Sequence, residues 1–332
     1  MTEPAEPPGR GPELRLDPLT REWVMIVGER QHRPNLPAAG CPFCVGGLEA
    51  PEPYDVHAFT NRWPALVPGE PITLGAGTLG AGTLGAGDLG AGDLGAGADT
   101  APARGAAEVV LYTPDHDASL GSLGATGIRK VVDLWAERTT ELHARPEVEY
   151  VLVFENRGRD VGATIDHPHG QIYAFGFVPP IPRRELEVSG EHGCPLCTLA
   201  PGEAAARSRV VVDDRGWVAW VPAANAWPYG TLLAPRAHVD GLATLDGAGR
   251  DALASSLADV LTRYDRLFAR PFPYMLWIHQ QPGDERAHLH LHVAPPRRTA
   301  DTLRYVASGE LGSGTYSNPV VPEAAAQALR DA

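Results

Sequence analysis

Long hydrophobic runs are missing from this sequence. Its longest apolar stretches, such as Val151 to Phe154 and Tyr274 to Ile278, are a few residues long, whereas a bilayer-spanning helix needs about 20. The opening residues, Met-Thr-Glu-Pro-Ala-Glu-Pro-Pro, have neither a basic region nor an apolar core, so no signal peptide is expected and the protein reads as cytoplasmic. Cysteine is scarce: four in 332 residues, which excludes a disulfide scaffold. Positive charge is scarce too, since 28 Lys and Arg against 41 Asp and Glu leave a formal net charge of −13. That balance argues against nucleic acid as the main partner, because neutralising a phosphate backbone needs clustered cations. A few local donors still suffice for a phosphorylated metabolite.

What is present is a globular composition, 43% hydrophobic and 21% charged, with room for two cores of ordinary size. Residues 74–97 repeat a pentapeptide that begins Leu-Gly-Ala-Gly and ends in Thr or Asp; it buries little and loses much entropy on ordering, so 73–105 read as a low-complexity insertion. A solenoid is the competing reading, but five residues per unit is too short for the usual repeats. Residues 1–20 are expected to be disordered or extended, and the Ala/Gln-rich C-terminus to be a frayed or helical tail.

Two helices stand out by period. Ile128, Val131, Val132, Trp135 and Leu142 recur at helical spacing within 127–144, and Leu253, Leu257, Val260, Leu261, Tyr264 and Phe268 within 250–269. Each ends at the same punctuation, Ala144-Arg145-Pro146 and Ala269-Arg270-Pro271, where proline stops a helix. Strand-like runs follow, 149–155 and 274–280.

The matching order suggests an internal duplication, which the metal-type residues test. Cys41, Cys44, His116 and His167 recur in order as Cys194, Cys197, His238 and His288, with the two histidines 51 positions apart in the first set and 50 in the second. From Cys44 to His116 is 72 positions and from Cys197 to His238 is 41, an excess the insertion nearly accounts for. The expected fold is α+β, with two related halves, 21–182 and 183–332, each an antiparallel sheet with one long helix.

The sharpest motif is His167-Pro168-His169-Gly170-Gln171, opening a strand-like Ile172 to Phe175. On an extended chain His167, His169 and Gln171 share a face, so one imidazole can bind metal while its neighbour does chemistry. A neutral imidazole attacks phosphorus well and gives a phosphoramidate that transfers readily. Gln171 offers an amide donor to a phosphoryl oxygen. The bland alternative, surface histidines in a turn, leaves the spaced Cys-x-x-Cys pairs unexplained.

Cys41 and Cys44 with His116 and His167 make a donor set that suits structural zinc. A redox Cys-x-x-Cys is the competing reading, weakened because the pair recurs with matched histidines. Cys194, Cys197, His238 and His288 would form a second zinc site. The run His288-Leu289-His290-Leu291-His292 puts three histidines on one strand face. His290 there takes the place of His169, and this half reads as a structural remnant with metal-binding capacity.

With these motifs the sequence resembles the galactose-1-phosphate uridylyltransferases of the histidine triad superfamily. The likeness runs through Glu22-Trp23-Val24, Arg30, Arg33-Pro34, Cys41-Pro42-Phe43-Cys44, Asn61, Pro114-Asp115-His116, Phe154-Glu155-Asn156, His167 to Gln171, Phe272-Pro273-Tyr274-Met275 and Tyr305 to Leu311. The resemblance implies a ping-pong exchange in which His169 takes UMP from UDP-glucose, releases glucose 1-phosphate, and passes UMP to galactose 1-phosphate to give UDP-galactose. It implies that Gln171 contacts the phosphoryl group and that Arg30, Arg33, Asn61, Asn156, Gly162 and Thr164 contact nucleotide or phosphate. It further implies a homodimer in which Arg304, Tyr305 and Glu310 reach the partner's site, Arg304 replacing a lysine found in many members. Some members carry an iron-type second site matching Glu185, His279, His290 and His292. Zinc at the second cysteine pair is the preferred assignment here and the iron-type set its alternative.

Two other readings are carried along. A related nucleotidylyltransferase or phosphorylase would use ADP-glucose or a dinucleotide polyphosphate with the same histidine. A zinc-organised binding module without turnover would be indifferent to loss of the His169 ring.

Overall fold

The computed structural model describes residues 11–28, 30, 40–72, 74 and 100–332. The pentapeptide repeat beyond Leu74, and Arg33, lie outside the described residues. In chain order the strands and helices are β1 (Glu13–Leu16), β2 (Trp23–Ile26), β3 (His57–Thr60), β4 (Thr100–Pro102), β5 (Gly105–Leu111), α1 (Gly124–His143), β6 (Tyr150–Arg157), β7 (His169–Phe175) and α2 (Pro180–His192). There follow α3 (Leu196–Ala206), β8 (Val210–Asp214), β9 (Trp217–Trp220), β10 (Thr231–Pro235), α4 (Gly247–Leu267), β11 (Tyr274–His279), β12 (His290–Ala294), α5 (Ser308–Ser313) and α6 (Pro322–Asp331).

Among the described residues the main sheet runs β3-β5-β7-β6-β11-β12-β10-β9-β8, and every pairing in it is antiparallel. The two halves are therefore not separate sheets side by side. They join edge to edge at β6 and β11, where Tyr274 faces Arg157 and Ile278 faces Val153. Outward from that seam the order mirrors itself, so that β7 with its His-x-His-x-Gln motif corresponds to β12 with its three histidines. A smaller sheet, β2-β1-β4, stands apart. It takes in residues 100–102, which composition alone had placed in the insertion.

The helix periods hold except at Phe268, which lies just past the end of α4 and is only partly buried. Ile128, Val131, Val132, Trp135 and Leu142 on α1, and Leu253, Leu257, Val260, Leu261 and Tyr264 on α4, are all buried, and the two helices pack against each other beneath the sheet. Burial of each such side chain is worth about 1.5–3 kcal/mol. Asp246 caps α4 by accepting from the Gly249 amide at 2.7 Å. The C-terminal tail is not frayed: α6 buries Ala325, Ala326 and Leu329, and the Arg263 guanidinium donates to the Leu329 and Arg330 carbonyls at 3.1 and 3.0 Å.

Along β7 burial alternates, with His169, Gln171 and Tyr173 part-exposed and Gly170, Ile172 and Ala174 buried. The odd positions thus face the site and the even ones the core. Behind the site, at the seam, Glu155 is buried and accepts from the Tyr274 hydroxyl at 3.3 Å. Burial pushes its carboxyl up to about 8, against the pull of Arg157 and of that hydrogen bond. The folded protein therefore keeps a proton that the unfolded chain releases near the ordinary value of 4.5. Stability should fall as pH rises from about 4.5 to about 8, by at most about 1.4 kcal/mol per pH unit from this group. Urea melts across that range should show the slope in wild type and a flatter profile in Glu155→Gln.

Candidate active site and metal centres

Cys41 and Cys44 lie in a tight knuckle before β3. The Gly47 amide donates to the Cys44 carbonyl at 2.7 Å and the Phe43 amide points at the Cys41 Sγ at 3.4 Å. A Cβ on Gly47 would meet the carbonyl oxygens of Pro42, Cys41 and Cys44 at 2.6–2.7 Å, so only glycine closes this turn. His116 comes from the loop after β5, and His167 from the residues leading into β7. The four donor atoms lie within 4.8 Å of one another, with the Cys44 Sγ 3.5 Å from His116 Nδ1 and 3.6 Å from His167 Nδ1.

His167 is fully buried, and its Nε2 sits 2.8 Å from the Thr113 carbonyl. A carbonyl only accepts, so Nε2 carries the proton and Nδ1 is left to ligate, the arrangement usual for metal-bound histidine. Burial lowers the His167 pKa and so favours the neutral, ligating form. Burial also raises the Cys44 thiol, and the neighbouring Cys41 raises it further. A dication between the two sulfurs would reverse that preference, so the donor set fits a metal ion. Tyr54, whose hydroxyl lies 2.7 Å from the Phe43 carbonyl and 3.0 Å from His167 Nε2, ties knuckle to loop. Burial pushes its phenol up to about 12, so it remains a donor.

His169 begins β7. Its Nδ1 donates to the His167 carbonyl at 2.8 Å, which in the neutral ring leaves the lone pair on Nε2. Phe43 packs edge-on against this imidazole with ring centroids 5.0 Å apart. Two cavities meet at His169 and Gln171. The larger, about 650 Å³, is lined by Phe43, Phe59, Asn61, Trp63, Thr164 and Ile165 among others. The smaller, about 160 Å³, is lined by Arg30, Asn156, Gly162, Thr164 and Tyr173 among others. Arg30 donates from Nε to the Trp63 carbonyl at 3.0 Å and lies over the Tyr173 ring, while its Nη2 is buried without a partner among the described residues. Gly162, at φ 82°, closes the turn that follows β6.

Arg30, Asn61, Asn156, Gly162, Thr164, His169 and Gln171 are thus brought together. Arg304, Tyr305 and Glu310 are not: none of them lines either cavity of its own chain. Arg304 is buried, ion-paired with Glu310 and stacked over Trp227 at 4.8 Å, so its charge is used inside the fold. Tyr305 is 76% exposed.

In the C-terminal half the sequence reading treated two metal sites as alternatives, and the structure assembles both donor sets. Cys194, Cys197, His238 and His288 converge within 4.8 Å, as do Glu185, His279, His290 and His292. Cys194 Sγ lies 3.2 Å from His288 Nδ1, Cys197 Sγ lies 3.2 Å from His238 Nδ1, and His288 Nε2 donates to the Pro235 carbonyl at 2.9 Å, repeating the N-terminal pattern. In the other set Glu185 Oε2 is 2.8 Å from His279 Nδ1. Burial opposes ionisation of Glu185, but the hydrogen bonds and charges of His279 and His290 outweigh it and hold the carboxyl well below its usual range.

Family models describe the galactose-1-phosphate uridyl transferase N-terminal domain over residues 41–179 and its C-terminal domain over residues 190–332. The chain belongs to this family. A galactose-1-phosphate uridylyltransferase of Thermotoga maritima is 37% identical, covering 96% of this chain and 98% of its own. One from Streptomyces lividans is 33% identical, covering 96% and 86%. A solved uridylyltransferase structure superposes with a TM-score of 0.81 at 30% identity over 96% of this chain and 97% of that one.

Sequence reasoning missed several residues of this family member's site. Phe43 sat unremarked inside the Cys-Pro-Phe-Cys knuckle. Tyr54 and the Thr113 carbonyl carry no motif, and Gly170 was counted without a reason. A Cβ there would lie 2.1 Å from the Tyr112 hydroxyl and 3.0 Å from the Phe154 carbonyl, so β7 seats only with glycine between His169 and Gln171. Gly170→Ala should cost about 1–3 kcal/mol in an overpacked site, read as a lowered urea midpoint with unchanged slope.

Proposed function

We propose that this chain is a UDP-glucose:hexose-1-phosphate uridylyltransferase working through a uridylyl-histidine. The observation that carries the reading is the hydrogen bond from His169 Nδ1 to the His167 carbonyl, which leaves the lone pair on Nε2 of a ring that lines both cavities. Nε2 attacks the α-phosphorus of UDP-glucose, the bond to the bridging oxygen breaks, and glucose 1-phosphate leaves. A phosphate oxygen of galactose 1-phosphate then attacks the same phosphorus, the P–N bond breaks, and UDP-galactose leaves with the ring restored. While the adduct stands the ring is positively charged, and the carbonyl against Nδ1–H stabilises that charge.

The Gln171 amide donates to the α-phosphoryl oxygens as charge builds there. Arg30, Asn156, Gly162 and Thr164 line a polar cavity suited to the phosphates, and the larger cavity, with Phe43, Phe59, Trp63 and Asn61, suits the nucleoside. Arg33 is assigned to the same ligand from the resemblance alone. The Arg304–Glu310 pair shapes a segment whose exposed Tyr305 we assign to the other active site of a homodimer. Zinc suits both Cys₂His₂ sets and, when bound, supplies a fixed dication that anchors His167 and His288. No helix among the described residues is long and apolar enough to cross a membrane, and we place the enzyme in the cytoplasm.

Incubating the protein with UDP-glucose and weighing the intact chain tests this. Wild type should gain one UMP and release an equal amount of glucose 1-phosphate, and His169→Gly should gain nothing. An adduct that persists in the variant, or that forms only with ADP-glucose, would contradict the proposal. Gln171→Ala should still form the adduct, slower by about 10²–10³-fold.

A further inference from the structure

The N-terminal half uses one histidine to place another: His167 turns Nδ1 to the thiols and lends its carbonyl to His169. The C-terminal half repeats this hydrogen bond with a different outcome. His290 Nδ1 donates to the His288 carbonyl at 2.7 Å, which leaves the lone pair of the neutral ring on Nε2. That atom faces Glu185 Oε2, 3.6 Å away, beside His279 and His292. The position that holds the nucleophile in one half thus holds a metal-type donor in the other.

A second connection joins the two C-terminal clusters. Glu185 projects from α2, and α2 ends at Gly193, whose φ of 77° turns the chain directly into Cys194. The segment that supplies a thiolate to one cluster therefore carries the carboxylate of the other, just as the residues leading into β12 supply His288 to one and His290 to the other. A cavity of about 530 Å³ borders both, lined by Glu185, His279, His290, His292, Cys194 and His288 among others, and gives ions a route from solvent. The Glu185 set also has the mark of a missing partner: His292 is stacked on Trp277 with centroids 4.8 Å apart, and its buried Nε2 has no hydrogen-bond acceptor or donor among the described residues.

Building on the ligand assignments above, we infer that the chain carries three metal ions, and that the Cys194–Cys197–His238–His288 ion positions the ligands of the Glu185–His279–His290–His292 ion. The two donor sets differ in kind. Two thiolates and two imidazoles select zinc, while one carboxylate and three imidazoles take iron, zinc or another borderline dication. With the first ion in place, the His288 ring and the Cys194 turn are fixed, so His290 Nε2 and the Glu185 carboxylate stand ready at the correct spacing. Without it, both must be ordered as the second ion binds. Outer contacts of this kind change metal affinity by about 10–100-fold, and the coupling must be equal in both directions.

Metal analysis and cobalt titration of the metal-stripped full chain test the inference. Wild type as purified should hold three ions. Cys194→Ser/Cys197→Ser should lose its own ion and bind cobalt at the Glu185 set, read by its d–d bands, at least about 10-fold more weakly. Reciprocally, His279→Ala/His292→Ala should need correspondingly more cobalt to develop half of the thiolate-to-cobalt band. The other half, from Cys41 and Cys44, should titrate as in wild type and so report an intact fold. If both variants leave the remaining C-terminal affinity within twofold of wild type, the coupling is wrong while the ligand assignments stand. If wild type holds fewer than three ions and shows no d–d bands from the Glu185 set, the inference falls together with that assignment.

Discussion

One hydrogen bond organises the catalytic side of this molecule, the donation from His169 Nδ1 to the carbonyl of His167. It does three things at once. It selects the tautomer that leaves a lone pair on Nε2, it fixes the ring plane against rotation, and in the reaction proposed above it places an acceptor beside the charge of a phosphorylated ring. The acceptor is worth only as much as its own rigidity. His167 is held by burial, by the Thr113 carbonyl on one ring nitrogen and by the thiol cluster on the other, so a knuckle at Cys41 and Cys44, remote in sequence, bears on the orientation of the proposed nucleophile.

The continuous sheet explains why the second half matters to the first. β6 and β11 pair along the seam, where buried Glu155 and Tyr274 join part-buried Arg157 and Asp265 in a polar network. β6 also flanks β7 directly, with Phe154 opposite Gln171. The C-terminal half therefore serves as a wall that keeps the catalytic strand in register. It repeats the same histidine hydrogen bond at His290, which there lies within a cluster of metal-type donors. Duplication has here preserved a hydrogen-bonding device and changed what the device points at.

Much of this was legible in the residues. The two long helices follow from apolar period and proline punctuation, because helix burial in a sheet-backed core leaves little choice of face. The Cys₂His₂ sets follow from the duplicated spacing. The joining of the halves into one sheet does not, since an edge-to-edge pairing is made of backbone hydrogen bonds that leave no side-chain signature. The two C-terminal donor sets read as alternatives because His288, His290 and His292 alternate along one run, His288 just before β12 and the other two within it. Which set each histidine joins depends on α2 bringing Glu185 to His279 and His290, a tertiary fact. Arg304, read from the resemblance as reaching a partner's site, is ion-paired with Glu310 and lies over the Trp227 face in its own chain, contacts that no motif announces. Tyr54 and the Thr113 carbonyl could not be read at all, because a main-chain acceptor has no sequence pattern.

The most direct test is to observe the His169 tautomer. Histidine-selective ¹⁵N labelling, with the resonance assigned by its loss in His169→Gln, reads which ring nitrogen bears the proton once the ring is neutral. The expected result is a protonated Nδ1 and an unprotonated Nε2 in wild type. A proton resident on Nε2 would remove the nucleophilic lone pair from the cavity and contradict the account.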